Sequence, residues 1–375
     1  MKEISLYIHI PFCAKKCYYC DFNSYVAPEL VPSYLEALKK EILLYRHIKQ
    51  PIKTIYIGGG TPTVLTEKDL EALIDCVARH FHIKSGAEFT VEANPGTLTR
   101  RKLLALKTLG VNRLSLGLQA HQDRLLKALG RIHSAIEFEE CLKKSREAGF
   151  DNINVDVIFG LPGQTVSDFI ETLEYITAFL PEHISCYSLT IEKGTKFYEM
   201  REKGLLQLPS DEEEREMYHK AVEYLTHRGF IHYEISNFAV PGRMCRHNIS
   251  CWKYEDYLGL GAGAHSFMQG RRFYNHPSPL DYIRSISQNM LPVENMEYLD
   301  IMEQRAEFCF LGLRLIEGLD KQDFKRRFGK DIHEVYGAAI QKLSSTGLVE
   351  EDGERIKLTP KGLDLANEVF VEFLP

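Results

Sequence analysis

The stretch ISLYIHIPFCAKKCYYCDF (residues 4–22) joins an apolar strand to a compact cysteine motif. Its β-branched and aromatic residues predict a strand over residues 4–10. Pro11 follows, and Cys13, Cys17 and Cys20 then stand in a C-x3-C-x2-C spacing. Closely spaced cysteine thiolates on a loop can hold an iron–sulfur cluster. Three local ligands on a four-iron cluster would leave one iron open. Chance proximity and a zinc site with a distant fourth ligand are the alternatives.

Strand-like and helical segments alternate through the first two hundred residues. After residues 4–10, the predicted strands are 54–58, 88–92, 113–118, 152–158 and 183–191. Helix starts and ends are predicted from capping boxes and terminal glycines, at Thr66 with Asp69, Thr165 with Asp168, Gly149 and Gly229. Such alternation predicts parallel strands with right-handed crossovers. Six units are fewer than the eight of a closed barrel, so we predict an α/β fold with a partial (β/α)6 barrel and the cysteines at its rim.

The rest of the chain has a looser pattern. We predict a barrel over residues 1–210, a mixed segment over 211–298, and a winged-helix-like α+β module over 299–375. The module's last part, LVEEDGERIKLTPKG, predicts two short strands around a turn. Residues 300–375 carry 11 Lys and Arg against 15 Asp and Glu, so the basic run at 325–330 is a poor basis for DNA binding.

Composition limits the classes of protein to consider. The 375 residues are 44% hydrophobic and 26% charged, with a net charge of −6. This is typical of a soluble globular protein and argues against general nucleic-acid binding. The sequence has no apolar run of about 18 residues and no signal-peptide pattern, so we expect a cytoplasmic protein with reduced thiols. Of its nine cysteines, Cys76, Cys141 and Cys309 are expected to be core residues.

The cysteine spacing, with Tyr19 before the last cysteine, resembles the radical S-adenosylmethionine (SAM) superfamily. The resemblance implies a [4Fe–4S] cluster whose open iron chelates the amino and carboxylate groups of SAM. GGGTPT (58–63) follows the second strand, where consecutive glycines let backbone approach a ligand. It lacks the Lys-Ser/Thr pair of a phosphate loop. It is similar instead to the loop that binds the SAM amino group.

Nine segments together resemble the oxygen-independent coproporphyrinogen oxidases and their heme-chaperone relatives, over residues 4–270. They are IHIPFCAKKCYYCDF, GGGTPT, VEANPG, RLSLGLQ, LGRIH, DVIFGLPGQT, SCYSLTIE, YEISNFA and GLGAGAHSF. The resemblance implies a set of SAM-contacting residues: Tyr7, Gly59, Gly60, Thr61, Glu92, Gln119, Arg131 and Asp156.

Two departures favour the heme-chaperone branch. The oxidases carry a further cysteine two residues after the third ligand, where this sequence has Phe22, and an N-terminal extension before the first strand. The resemblance then implies a protein that binds heme and passes it to an acceptor protein, with exchangeable SAM and an electron donor for the cluster. Whether SAM is cleaved stays open. The alternatives are radical decarboxylation of coproporphyrinogen III and a redox-sensing nucleic-acid-binding regulator.

The segment HNISCW (247–252) resembles the H-N-x-x-Y-W signature of the heme-chaperone branch. The resemblance implies that His247 ligates heme, and neutral imidazole is a common axial ligand. His265 is the next candidate ligand. Cys251 replaces the usual tyrosine, so Cys245, His247 and Cys251 form a C-x-H-x3-C pattern that could bind zinc or offer heme a thiolate.

Overall fold

The computed structural model describes residues 2–375. Its strands are β1 Ile4–Ile10, β2 Ile52–Gly59, β3 Ile83–Ala93, β4 Arg113–Gln119, β5 Ile153–Phe159, β6 His183–Ser188, β7 Ile231–Glu234, β8 Asn237–Ala239, β9 Tyr257–Leu260, β10 His265–Met268, β11 Arg271–Asn275, β12 Val293–Tyr298, β13 Leu319–Asp320, β14 Val349–Glu351 and β15 Arg355–Leu358.

The α-helices alternate with the strands over the first half of the chain. They are α1 Val31–Leu44, α2 Glu67–His80, α3 Arg100–Thr108, α4 Asp123–Ala128, α5 Ala135–Glu147, α6 Val166–Thr177, α7 Lys196–Glu202, α8 Asp211–His227, α9 Arg246–Trp252, α10 Pro279–Ser287, α11 Ile301–Gly312, α12 Lys321–Phe328, α13 Ile332–Ser345, α14 Pro360–Asp364 and α15 Ala366–Val371. Short 3-10 turns occupy Pro28–Leu30 and Pro62–Val64.

One large sheet carries the site. In the described residues it has twelve strands in the order β12-β11-β10-β9-β1-β2-β3-β4-β5-β6-β8-β7. Strands β1 to β6 are parallel and adjacent in chain order, as in the predicted partial barrel of six. Their carboxyl ends therefore meet at one rim, where (β/α) barrels carry their functional groups.

Local signals placed the helices correctly. The Thr66 hydroxyl accepts from the Asp69 N–H at 3.2 Å, and the Asp69 carboxylate accepts from the Thr66 N–H at 3.2 Å. Thr165 and Asp168 form the same reciprocal box at the start of α6. The predicted terminal glycines have a φ of +87° just beyond α5 and α8, at Gly149 and Gly229.

The mixed segment contains strands that the sequence pattern did not reveal. Strands β8 and β7 continue the sheet antiparallel beyond β6, while β9 lies parallel to β1 and β10 to β12 follow antiparallel. Strands β7 to β9 have only three or four residues each, too short to display a two-residue alternation. The segment thus extends both edges of the sheet.

Two large hydrophobic cores stabilise the packing of the strands and helices. The first lies between the barrel strands and helices and includes Ile8 and Leu116, both fully buried. The second packs α11 to α13 and α15 against a sheet of order β13-β15-β14, and β14 and β15 are the two strands predicted near the end. This second core also takes Tyr254 and Phe267 from the mixed segment. The boundaries at residues 210 and 298 stay a prediction.

Candidate iron–sulfur and cofactor site

The cysteine loop leaves the carboxyl end of β1 and is fastened by backbone hydrogen bonds. The Cys13 N–H donates to the Tyr25 carbonyl at 3.0 Å, and the Tyr25 N–H donates to the Pro11 carbonyl at 2.8 Å. The Cys20 N–H donates to the Cys17 carbonyl at 3.3 Å. All three cysteines are half-buried and line the same cavity. The predicted ligands are therefore brought together at the rim.

The thiols sit among polar neighbours. The Cys13 Sγ lies 3.5 Å from the Thr61 Oγ1, and the Arg131 Nη1 donates to the Cys17 Sγ at 3.6 Å. Burial raises the pKa of the Cys13 and Cys20 thiols above the ordinary value. Bound iron would offset this penalty, because a cation stabilises the thiolate form.

The geometry suits a cluster better than one metal ion. Among residues 2–375, no three His, Cys, Asp or Glu side chains are grouped closely enough to hold a single ion. In a four-iron cluster each thiolate binds a different iron, so the sulfurs need not converge on one point. Three cysteines spread along one cavity wall fit that requirement.

The glycine loop after β2 presents acceptors. The Gly59 N–H donates to the Glu92 Oε2 at 3.1 Å. The N–H groups of Gly60 and Thr61 donate at 2.9 and 2.8 Å to carbonyls of β1 and the cysteine loop. Since these donors are occupied within the protein, the loop has carbonyl oxygens to offer a ligand. Carbonyl oxygens can accept from the N–H groups of an amine, and the role of this loop in binding the SAM amino group stays a prediction.

Close packing explains why glycine occupies position 60. A Cβ built there would lie 2.7 Å from the Phe12 carbonyl oxygen and 2.9 Å from the Cys13 Sγ. Both distances are shorter than side chains tolerate, so a larger residue would push the loop away from the cysteine. Glycine lets the two loops meet.

Two half-buried carboxylates face the cavity. Glu92 accepts from the Tyr56 hydroxyl at 2.8 Å, and Asp156 accepts from the Ser115 hydroxyl at 2.9 Å and the Asn154 amide at 2.8 Å. Burial raises the pKa of both, that of Glu92 to about 7, and the two acids also repel each other. Their hydrogen-bond partners are neutral, so a cationic ligand would relieve the burial cost of the charges.

Two polar atoms at the cavity lack a partner in the described chain. The Gln119 Oε1 and the Arg131 Nε are buried without a hydrogen bond. The Arg131 Nη2 is anchored, donating to the Asn94 Oδ1 at 2.6 Å and the Gly117 carbonyl at 2.7 Å. Gln119 has a φ of +74°, a strained conformation for a residue other than glycine. A polar ligand could satisfy both unpaired atoms.

These groups surround a cavity of about 440 Å³, within the range of small-molecule sites. Asp156 lies in the middle of β5, although the sequence pattern had placed it near a strand end. Tyr7 and His247 do not line this cavity. All the other predicted cluster and SAM residues do: Cys13, Cys17, Cys20, Gly59, Gly60, Thr61, Glu92, Gln119, Arg131 and Asp156.

Tyr7 connects to the cavity through a neighbour that the sequence did not single out. Its hydroxyl lies 2.8 Å from the His9 Nδ1, and the His9 Nε2 lies 2.8 Å from the Asn23 carbonyl oxygen. Burial lowers the pKa of His9, so the neutral ring can donate to Asn23 and accept from Tyr7. A hypothetical Cβ on Gly59 would lie 2.6 Å from this ring. His9 therefore contacts Tyr7, the glycine loop, and Asn23 at the end of the cysteine loop.

Sequence reasoning also missed Tyr56, Asn94 and Ser115, which line the cavity. A signal was present for one of them. Asn94 is two residues beyond Glu92 and so shares its face of the strand region. Ser115 gave no such signal, because an irregularity between Gly117 and Gln119 breaks the two-residue alternation. Tyr56 is recognisable only through its contact with Glu92.

His247 occupies a different place. It lies on α9, is only 6% exposed, and its ring stands 5.1 Å from the ring of Tyr56. Its Nδ1 is 2.9 Å from the Thr54 hydroxyl, and its backbone N–H donates to Glu88 at 2.9 Å. Burial lowers its pKa to about 3, so the ring is neutral. Ligation of heme by His247 stays a prediction, and it would require this buried ring to become accessible.

The zinc alternative for the same segment has no geometric support. Cys245 is fully buried beside Glu88, at 3.6 Å from its Oε1, while Cys251 is partly exposed. Within the described part of the chain, Cys245, His247 and Cys251 do not form a group that could hold one ion.

The parallel strands, the cysteine loop at their carboxyl ends and the acidic cavity beside it define a radical SAM protein. Residues 7–176 match the Radical SAM superfamily, and residues 299–365 match the HemN C-terminal domain. The chain belongs to the heme chaperone HemW family. It is 40% identical to "Heme chaperone HemW" of Bacillus subtilis (strain 168), over 99% of each chain. It is 38% identical to that of Lactococcus lactis subsp. lactis (strain IL1403), over 100% of this chain and 98% of the relative.

A solved structure extends the comparison of the fold. Coproporphyrinogen III oxidase (HemN) from Escherichia coli superposes with a TM-score of 0.87, covering 99% of this chain and 90% of the oxidase, at 24% identity. This likeness concerns the fold. In residues 2–375 no helix is both long enough and apolar enough to cross a membrane. Radical SAM membership implies a [4Fe–4S] cluster and SAM, and the cavity fits both.

Proposed function

We propose that this protein is a heme chaperone, which binds heme and transfers it to an acceptor protein, and that it carries a [4Fe–4S] cluster with exchangeable SAM. Full-length similarity to proteins named heme chaperones supports the proposal. Phe22 is the residue that favours a heme chaperone over an oxidase. It stands where the oxidases have a further cysteine, and it is 64% exposed at the mouth of the cavity. A flat apolar side chain there suits contact with a porphyrin.

The cluster residues have distinct roles in this proposal. Cys13, Cys17 and Cys20 hold three irons as thiolates. When bound, the cluster supplies an open coordination position and a one-electron couple. The Arg131 guanidinium donates to the Cys17 sulfur and places a positive charge beside this ligand.

The remaining residues bind SAM. The carbonyls of Gly59 and Gly60 accept from the N–H groups of its amino nitrogen, and Glu92 and Asp156 balance the positive charge of its sulfonium. The unpaired donor of Arg131 and acceptor of Gln119 match a carboxylate and a hydroxyl or amine of the ligand. Thr61 and Tyr7 complete the predicted set, Thr61 beside the Cys13 sulfur and Tyr7 through His9.

We propose a cytoplasmic protein whose partners are heme, a heme-acceptor protein and an electron donor for the cluster. Nucleic acid is not an expected partner, because residues 300–375 have more acidic than basic side chains. The regulator hypothesis therefore has the least support.

One experiment separates chaperone from oxidase. The full chain is reconstituted anaerobically with iron and sulfide, and the same sample is tested for heme binding, heme transfer and porphyrinogen turnover. Hemin should give a stable Soret band, and apomyoglobin should withdraw the heme. Coproporphyrinogen III with SAM and dithionite should yield no protoporphyrinogen. Product formation at many turnovers per chain would overturn the proposal in favour of the oxidase.

Cysteine variants test the cluster within the same proposal. The triple variant of the three ligands to serine should lose the iron-dependent visible absorbance, because serine oxygen is a poor ligand for this type of cluster. Cys186→Ser is the matched control, since Cys186 is buried in the core. Equal iron content in both variants would contradict the assigned ligands.

A further inference from the structure

Tyr18 lies between two of the predicted cluster ligands and is partly exposed at the surface. Its backbone N–H donates to the Leu129 carbonyl at 2.9 Å, and its carbonyl accepts from the Phe197 N–H at 2.9 Å. The ring packs on Gly130, where a Cβ would lie 2.8 Å from it. The end of α4 and the start of α7 therefore hold an aromatic side chain in place directly after the Cys17 ligand.

Lysine side chains surround this ring. The Lys196 Nζ lies 3.8 Å and the Lys15 Nζ 5.7 Å from the centroid of the Tyr18 ring. Lys127 is exposed near the end of α4, next to the segment that holds Tyr18. Among residues 2–375 none of these three ammonium groups forms an ion pair with a carboxylate. Because the whole chain has a net charge of −6, these unpaired cations are a local feature, and they would attract an acidic partner.

Cys17 can also be approached from a second side. Besides the cofactor cavity, it lines a small cleft of about 30 Å³ together with Ile132, which is 63% exposed. The Arg131 Nη2 donates to the Asn94 Oδ1 at 2.6 Å, and the Asn94 Nδ2 donates to the Thr61 Oγ1 at 2.8 Å. These three residues line both spaces and form the wall between them. The cleft therefore leaves this side of the cluster loop accessible when SAM occupies the cavity.

We propose that one surface, which we call the Tyr18 surface, docks the electron donor of the cluster, and that this donor is a small acidic one-electron carrier protein. The surface consists of Lys15, Tyr18, Lys127, Ile132 and Lys196. This inference rests on the proposed cluster function and adds the docking surface and the charge of the partner. In each transfer one electron passes from the carrier to the cluster, so the carrier is oxidised and the cluster reduced by one electron, and no bond forms or breaks.

The size and charge of the surface suit such a partner. Contacts between electron carriers are small, burying less than about 1,200 Å² in total, and complementary charges bring the partners together quickly and in register. The Tyr18 surface offers that combination, because its lysines surround a small apolar area formed by the Tyr18 ring and Ile132. The carrier would sit one residue away from a cluster ligand and outside the cavity that binds SAM.

Binding is the first measurement, because it does not require the cluster. Isothermal titration calorimetry follows an acidic flavodoxin, and in a parallel arm an acidic plant-type ferredoxin, added to the full chain with and without reconstituted iron. Lys127→Glu combined with Lys196→Glu should raise the dissociation constant at least about tenfold at low salt, and salt at about 0.5 M should weaken wild-type binding in the same direction. Lys196→Arg keeps the charge and should retain the wild-type affinity.

The matched control is Lys40→Glu combined with Lys330→Glu. It makes the same change of charge at two exposed lysines, one on α1 and one after α12, neither of which forms an ion pair in the described residues. This pair should stay within about twofold of the wild-type affinity, because its charges are placed away from the docked carrier.

Reduction of the reconstituted cluster is the second measurement. The reduced carrier should bleach the visible absorbance of the cluster several-fold more slowly in the Lys127 and Lys196 pair than in the wild type. Photoreduced 5-deazariboflavin, a small uncharged reductant that needs no docking surface, should reduce the cluster at the same rate in both.

The outcomes separate the surface from the proposed function. An unchanged affinity in the Lys127 and Lys196 pair, an equal loss in the control pair, or a wild-type chain that binds neither carrier would overturn the Tyr18 surface and leave the cluster in place. A reconstituted wild-type chain that photoreduced deazariboflavin cannot reduce would overturn the one-electron couple of the proposed function itself.

Discussion

Glu92 gives a quantitative test of the cofactor cavity. Its carboxyl is half-buried in the rim, and burial raises its pKa to about 7, against a neutral pair of donors from Tyr56 and Gly59. The negative charge of Asp156 contributes to this rise. SAM brings a positively charged sulfonium into the cavity that this group lines. Binding should therefore favour the ionised carboxylate and lower its pKa in the complex.

The expected change of SAM affinity with pH follows from the shift in the pKa of Glu92 on binding. If the pKa falls from about 7 in the free protein to about 5 or lower in the complex, SAM should bind roughly 20-fold more tightly at pH 7.5 than at pH 5.5. The sulfonium carries a fixed positive charge, and a proton that the SAM amino group loses on chelation affects the wild type and the variant alike. Glu92→Gln removes the titrating carboxyl and should therefore show a pH dependence roughly 20-fold smaller than that of the wild type.

Equilibrium dialysis of SAM against the anaerobically reconstituted chain measures the affinity at each pH. Glu192→Gln is the matched control, because Glu192 is an exposed acid at the edge of the same cavity. It should keep the wild-type dependence. A pH-independent affinity in the wild type, or an unchanged slope in Glu92→Gln, would refute the reasoning.

The same group affects the stability of the ligand-free protein. The pKa of Glu92 is raised on folding, so the native state binds the proton more tightly than the unfolded state does. The free energy of unfolding should then fall as pH rises from about 4.5 to 7, by up to roughly 3 kcal/mol from this group. Urea denaturation at pH 5 and pH 7.5 measures it, and Glu92→Gln should show a smaller decrease.

Two further substitutions test the packing around the site. Gly60→Ala should lower the free energy of unfolding by about 1–3 kcal/mol and the iron content by more than half, because its Cβ would displace the Cys13 loop. The control Gly337→Ala, whose Cβ meets open space, should keep full iron in the same assay. His247→Ala should lower the free energy of unfolding by about 1–3 kcal/mol through loss of the bond to Thr54 and of buried volume. Full iron in Gly60→Ala would contradict the first expectation, and an unchanged denaturation midpoint in His247→Ala the second.

Much of the architecture was predictable because its causes are local. The capping boxes at Thr66 and Thr165 depend on residues three positions apart. The six parallel strands were predictable because each contains an apolar segment long enough to be recognised in the sequence. The short strands β7 to β9 offered no such pattern, and pairing with longer neighbours fixes them in the sheet.

The functional site likewise has parts that were predictable from the sequence and parts that were not. The cluster loop was predictable from the sequence, because Cys13, Cys17 and Cys20 lie within eight residues of one another. The glycine loop that follows β2 was predictable for the same reason. Only the fold shows that Tyr56 pairs with Glu92, 36 residues away, and that His247 is buried against Thr54, 193 residues away. Contacts across such separations depend on which strands become neighbours, so spacing alone could not show that the His247 imidazole is buried.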